Sequence, residues 1–114
     1  MIAVIFEVIP FIGERHRYLD LAGELRARLE EIDGFISVER FESLSTRGKL
    51  LSLSFWRDED AVRRWRETPD HRASQGAGRG GIFADYRLRV AHVLRDYGLA
   101  EREEAPEDSR TRHG

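Results

Sequence analysis

Apolar residues fill nearly every position of IAVIFEVI, Ile2–Ile9, a β-branched and aromatic run that predicts a strand with two apolar faces. Pro10 and Gly13 end it. From Glu14 to Ile32 the period changes. Tyr18, Ala22, Leu25, Leu29 and Ile32 recur at steps of 4, 3, 4 and 3, one apolar stripe on a helix charged elsewhere. Asp33-Gly34 stops that helix, with the glycine suited to a left-handed cap. Phe35–Leu44 and Lys49–Trp56 predict the second and third strands, joined by a hairpin through STRG. Asp58 then offers an N-cap oxygen, and Glu59 and Asp60 load the first turn of a short helix that runs to about Glu67. Thr68-Pro69 starts a second short helix over Pro69–Ala77. After a glycine cluster, Ile82–Tyr97 reads as one long strand that outruns its neighbours.

The order βαββαβ predicts an α+β, ferredoxin-like antiparallel sheet with its helices on one face. The first strand has no polar face, and the third alternates only with serine. The sheet face away from the helices therefore needs a cover. A second copy of the chain supplies it most simply, as a homodimer through the sheet faces with the long fourth strand reaching the partner. Residues 1–97 form this domain. From Gly98 the chain has one leucine, no aromatic residue and many charges. Residues 98–114 read as a charged flexible tail or a strap on the partner.

Composition narrows the class. A chain of 114 residues makes one domain, able to bury about 65% of its unfolded surface. It has no cysteine, hence no disulfide and no thiolate metal site, which fits a cytoplasmic location. The apolar N-terminus lacks the basic flank and cleavage site of a signal peptide, and no apolar run approaches the roughly 20 residues of a membrane span. The net charge is -2 with the signs interspersed, so no basic field offers itself to nucleic acid. Lys49 is the only lysine among 19 basic residues, a bias better explained by GC-rich coding than by a site for each arginine.

Gly76, Gly78 and Gly81 spell G-x-G-x-x-G, the pattern of a dinucleotide loop. Such a loop must follow a strand and open a helix, so that phosphate meets the helix N-terminus. Here a helix precedes and a strand follows. The glycines instead suit an α-to-β connection that needs positive φ, with Arg79 as a side chain able to reach a neighbouring pocket. A more informative stretch is FWRDEDAVRRWRETPDH. Trp56 ends the third strand, Trp65 lies one turn after Ala61 on the short helix, and on a helix His71 would stack with Gln75 four residues on. His71 is the leading chemical candidate, because imidazole titrates near neutrality. No HExxH or GxSxG motif is present, and the sequence offers no designed metal site.

At Gly34-Phe35, Trp56, Trp65 and His71, with the early apolar strand, residues 1–97 resemble the antibiotic biosynthesis monooxygenase superfamily. The spacing of nine from Trp56 to Trp65 and six to His71 carries the likeness. The resemblance implies a dimeric α+β barrel with a pocket between helices and sheet in each subunit. Some members oxidise aromatic phenols to quinones with oxygen and no cofactor. It therefore implies a cofactor-independent monooxygenase acting on a small aromatic or quinone-like substrate, with no cofactor and no metal. His71, Trp65 and Arg79 would act catalytically, and Phe55, Trp56, Gln75, Phe83 and Tyr86 would line the ligand pocket. The chain departs from the quinone-forming pattern at Ala61, where that type has asparagine. It departs from haem-degrading relatives by lacking a first-strand asparagine and by carrying Gln75 ten residues after Trp65. The competing reading is a non-catalytic dimeric small-ligand-binding or accessory protein, with haem binding less favoured. An open pocket beside His71 favours the enzyme; one filled by Phe55, Phe83 and Trp65 favours the competitor.

Overall fold

The structure is a computed structural model that describes the backbone of residues 1–114 and every side chain except those of Ser74, Gln75, Ala77 and Gly78. The candidate pocket side chain of Gln75 thus lies outside the described residues. The chain runs β1 (Ile2–Pro10), α1 (Arg15–Glu30), β2 (Phe35–Glu42), β3 (Leu50–Trp56), α2 (Glu59–Arg66), α3 (Pro69–Ala77), a π-type turn (Gly78–Ile82), β4 (Phe83–His92) and α4 (Glu107–His113). All strand pairs are antiparallel, in the order β2-β3-β1-β4. This is the ferredoxin-like sheet that the βαββαβ pattern predicts. Among the described residues no helix is long and apolar enough to cross a membrane.

Register decides which side chains meet the helices. Val4 stands opposite Ser54 and Val90, Phe6 opposite Ser52 and Leu88, and Val8 opposite Leu50 and Tyr86. Successive strand residues point to opposite faces, so these rows share the helix side. Two buried clusters anchor it. One joins Leu29, Val38, Trp56, Ala61 and Trp65. The other joins Val8, Tyr18, Leu50 and Ile82. Between them the in-phase residues of β3 are Ser52 and Ser54. Leu51, Leu53 and Phe55 point the other way, onto a face with no helix over it.

Local devices hold the connections. Gly34 adopts φ +94°, accepts from Arg57 N–H at 2.7 Å and leaves no space for a side chain, since a Cβ there would lie 2.7 Å from Ala61 Cβ. Asp58 Oδ1 accepts from Ala61 N–H at 2.9 Å and caps α2. Thr68 joins α2 to α3: its hydroxyl donates to the Trp65 carbonyl at 2.7 Å and accepts from His71 N–H at 3.2 Å.

Two expectations need revision. β4 ends at His92 rather than Tyr97. As an edge strand it pairs only with β1, which begins opposite His92; Val93 N–H to the Met1 carbonyl, 3.0 Å, is the last bond that β1 can supply. Within residues 98–114 the chain forms α4, with Arg102 donating to the carbonyls of Gly98 and Gly114 and to Ser109 Oγ. Arg102 also lies 5.3 Å over the Tyr97 ring, and Ala105 is buried. This structure is built from hydrogen bonds to one arginine, which a count of apolar residues does not detect.

Candidate functional site

Because serines occupy the middle of β3, the helix face of the sheet is under-filled there. A cavity of about 290 Å³ occupies the gap between the two core clusters. Its floor is Val4, Phe6, Ser52 and Ser54, and Leu21, Ala22 and Leu25 of α1 form its roof. Trp65, Arg66 and His71 line it from α2 and the start of α3, and Phe83, Tyr86 and Leu88 from β4. The size is at the lower end of ordinary small-molecule sites, roughly 300–1,000 Å³. The space beside His71 is therefore open.

Trp65 follows Ala61 by one turn on the buried face of α2 and is 9% exposed. The His71 ring meets it edge-on, with centroids 5.5 Å apart and planes at 70°. The Thr68 turn sets this geometry, because it bonds both the end of α2 and the start of α3. His71 Nδ1 is buried and has no hydrogen-bond partner. Burial is the main cause of a His71 pKa below the ordinary imidazole value; hydrogen bonding with the Arg66 backbone opposes it, and the Arg66 cation adds to the lowering. The neutral imidazole is thus the favoured form near pH 7, with a ring nitrogen free to accept a proton.

Arg79 reaches the cavity from the glycine-rich turn. Its guanidinium donates to Tyr86 Oη at 2.7 Å. Tyr86 packs against Phe83 and Phe6 with centroids 5.8 and 5.7 Å away. Gly81, at φ +137°, makes the reversal from the turn into β4, and the Ile82 carbonyl accepts from Phe11 N–H at 2.9 Å. Trp56 is 2% exposed and lines the cavity, donating Nε1–H to Ser54 Oγ at 2.9 Å. The structure thus brings together His71, Trp65, Arg79, Trp56, Phe83 and Tyr86. Phe55, expected in the pocket, does not join them. It pairs with Ala3 on the opposite face, one strand position out of phase with Trp56.

The sequence reading missed several lining residues. Arg40 shares its face of β2 with Val38 and stands opposite Ser52. Tyr18, read only as part of the helix stripe, also lines the cavity; burial raises the pKa of its phenol, partly offset by the Arg40 cation. The two-residue phase of β2 and β3 was the signal that could have found Arg40, Ser52 and Ser54. Ala61 does not line the cavity. It is fully buried against Gly34, so the position where the quinone-forming pattern has asparagine belongs here to the core.

A ferredoxin-like α+β chain with an apolar, arginine-bearing cavity between helices and sheet defines the class of protein. The chain belongs to the antibiotic biosynthesis monooxygenase family, whose model matches residues 1–77. It is 50% identical over 93 residues to the jasmonate monooxygenase ABM of Pyricularia oryzae, an alignment covering 82% of this chain and 43% of that protein. The chain thus spans less than half of that relative. It is 36% identical over 93 residues to the YqjZ protein of Bacillus subtilis, covering 82% of this chain and 79% of that one. Among solved structures, Rv0793 from Mycobacterium tuberculosis superposes with a TM-score of 0.76 at 20% identity, over 85% of this chain and 98% of its own. A point mutant of SnoaB from Streptomyces nogalater, described as a cofactor-independent oxygenase, gives 0.72 at 13% identity, over 83% and 94%. At such identities these structures speak for the fold alone.

Proposed function

We propose that this chain is a cofactor-independent monooxygenase acting on a small aromatic or quinone-like substrate. The observation that carries the reading is an open apolar cavity lined by Trp65 and by His71, a half-buried imidazole held neutral by its burial. A flat ring would pack on Trp65 and the aliphatic roof. The neutral His71 imidazole would take a phenolic proton, leaving an electron-rich anion that oxygen can oxidise. For a phenol carried to a quinone, one oxygen atom enters the ring and the other leaves as water with two substrate hydrogens, so the substrate supplies every electron. Arg79, held by Tyr86, would steady negative charge as it develops.

A homodimer through the uncovered sheet face is part of this reading. Leu51, Leu53 and Phe55 of β3 and Ala3 and Ile5 of β1 share that face, beside a Glu7–Arg89–Lys49 cluster bonded at 2.7 and 3.2 Å. Alanine at position 61, in place of asparagine, favours a second reading, a ligand-binding or accessory protein that binds in the same cavity without turnover. An oxygen-electrode screen of phenols and hydroquinones separates the two. Substrate-dependent uptake by the purified chain without added cofactor supports the enzyme; binding of the same compounds without uptake supports the second reading.

A further inference from the structure

The cavity carries charge of one sign. Arg40, Arg66 and Arg79 line it with no aspartate or glutamate. Several arginines elsewhere are neutralised, among them Arg15 by Glu42 at 2.7 Å, Arg57 by Asp33 at 3.1 Å and Arg89 by Glu7 at 2.7 Å. None of the three cavity arginines has a carboxylate within 4.0 Å among the described residues. Arg40 is the most confined of them. Its Nε is buried without a hydrogen-bond partner. The in-phase carboxylate two residues on, Glu42, is engaged by Arg15. The polar side chains beside Arg40 are uncharged: Ser52 opposite it on β3 and the Tyr18 phenol, which burial keeps neutral. A half-buried guanidinium among apolar side chains is costly without a counter-ion, and a planar carboxylate matches its donors two at a time.

We propose that the cavity recognises its ligand as an anion: a small, ring-bearing apolar carboxylic acid whose carboxylate pairs with Arg40. Arg40 lies on edge strand β2 and the Arg79–Tyr86 pair at the opposite edge, β4, three interstrand spacings or about 14 Å across the sheet. With the acid group at the β2 side, the apolar body extends over Phe6 and Val4 beneath Leu25 toward β4. The inference rests on the monooxygenase reading for the fate of the bound acid, but not for its binding.

Calorimetric titration of the full chain with a panel of naphthyl- and phenylalkanoic acids and their methyl esters at pH 7.5 tests it. At least one acid is expected to bind tenfold or more tighter than its ester. Arg40→Met is expected to weaken that acid at least tenfold while changing ester affinity less than threefold, and Arg40→Lys to retain part of the preference. Retained ester binding shows that the variant is folded and its cavity intact. Failure of every acid to bind, esters binding as well as acids, or a preference that survives Arg40→Met overturns the proposal. A preference that survives Arg40→Met but vanishes in Arg79→Met overturns it too, by placing the anion at the other edge. Oxygen uptake with neutral phenols and no acid preference would leave the monooxygenase reading standing and remove this one. Acid binding without oxygen uptake would do the reverse.

Discussion

The His71 imidazole meets the Trp65 indole edge-on at 5.5 Å, across a turn whose Thr68 hydroxyl bonds the backbone of both residues. Burial first, and the Arg66 cation with it, holds the imidazole pKa below its ordinary value. The acid limb of the rate profile is therefore expected below pH about 6.5, because the base stays neutral past the point where a free imidazole protonates. Stability obeys the same shift. Between the lowered folded pKa and about 6.5 the unfolded chain binds more protons than the folded one, so stability falls as pH drops through that window. Urea titrations at pH 7.5 and pH 5 are expected to show a smaller acid loss in His71→Gln than in the wild type.

The cavity exists because β3 presents serines where large residues would close it. Ser52→Leu is expected to fill the gap: ligand affinity falls at least tenfold, while urea unfolding shifts by no more than about 1.5 kcal/mol in either direction. Ser54 is the wrong site for this test, because its hydroxyl accepts from buried Trp56 Nε1–H, and its loss would leave that donor unpaired. Titration of the variant with any compound that the wild type binds provides the check.

Gly34 and Gly48 separate backbone strain from crowding. Both have positive φ, +94° and +80°, but only Gly34 faces a neighbour, with Ala61 Cβ 2.7 Å from the position of an added Cβ. Gly48→Ala is expected to cost about 1–2 kcal/mol through φ alone. Gly34→Ala is expected to cost at least about 1 kcal/mol more, because β2 and α2 must separate. Parallel denaturant unfolding of the two variants gives the difference directly.

Leu53 points away from the helices on β3, an interior strand of the sheet, well inside the uncovered face. If a second copy covers that face, Leu53→Arg is expected to convert a micromolar dimer to a monomer in sedimentation velocity, by placing like charges against each other across the twofold. A wild-type chain that sediments as a monomer at the same concentration would remove the dimer from the account.

Much of the architecture was legible because it depends on spacing and on single capping residues. The stripe from Tyr18 to Leu29 and the Asp58 cap are local features, and the structure has both where the chain pattern put them; Gly34 takes the expected positive φ, but α1 ends before it, at Glu30. The site was legible where one element carries it: Trp65 and His71 come from a single stretch of the chain. It was not legible where strand phase decides. Trp56 and Phe55 are adjacent in sequence and differ only in which face they take, so one lines the cavity and the other does not. Arg40 reads as one more surface arginine until the register sets it opposite Ser52. The end of β4 also depends on something outside its own segment, the first residue of β1.

Oxygen uptake by the wild type and His71→Ala, compared with the same substrate in the absence of added cofactor, tests the central claim most directly. The expected result is uptake by the wild type and a fall of about 100-fold or more in kcat for the variant, with the variant still binding the substrate. Uptake that persists undiminished in His71→Ala, or a wild type that consumes no oxygen with any compound that its cavity binds, would contradict it.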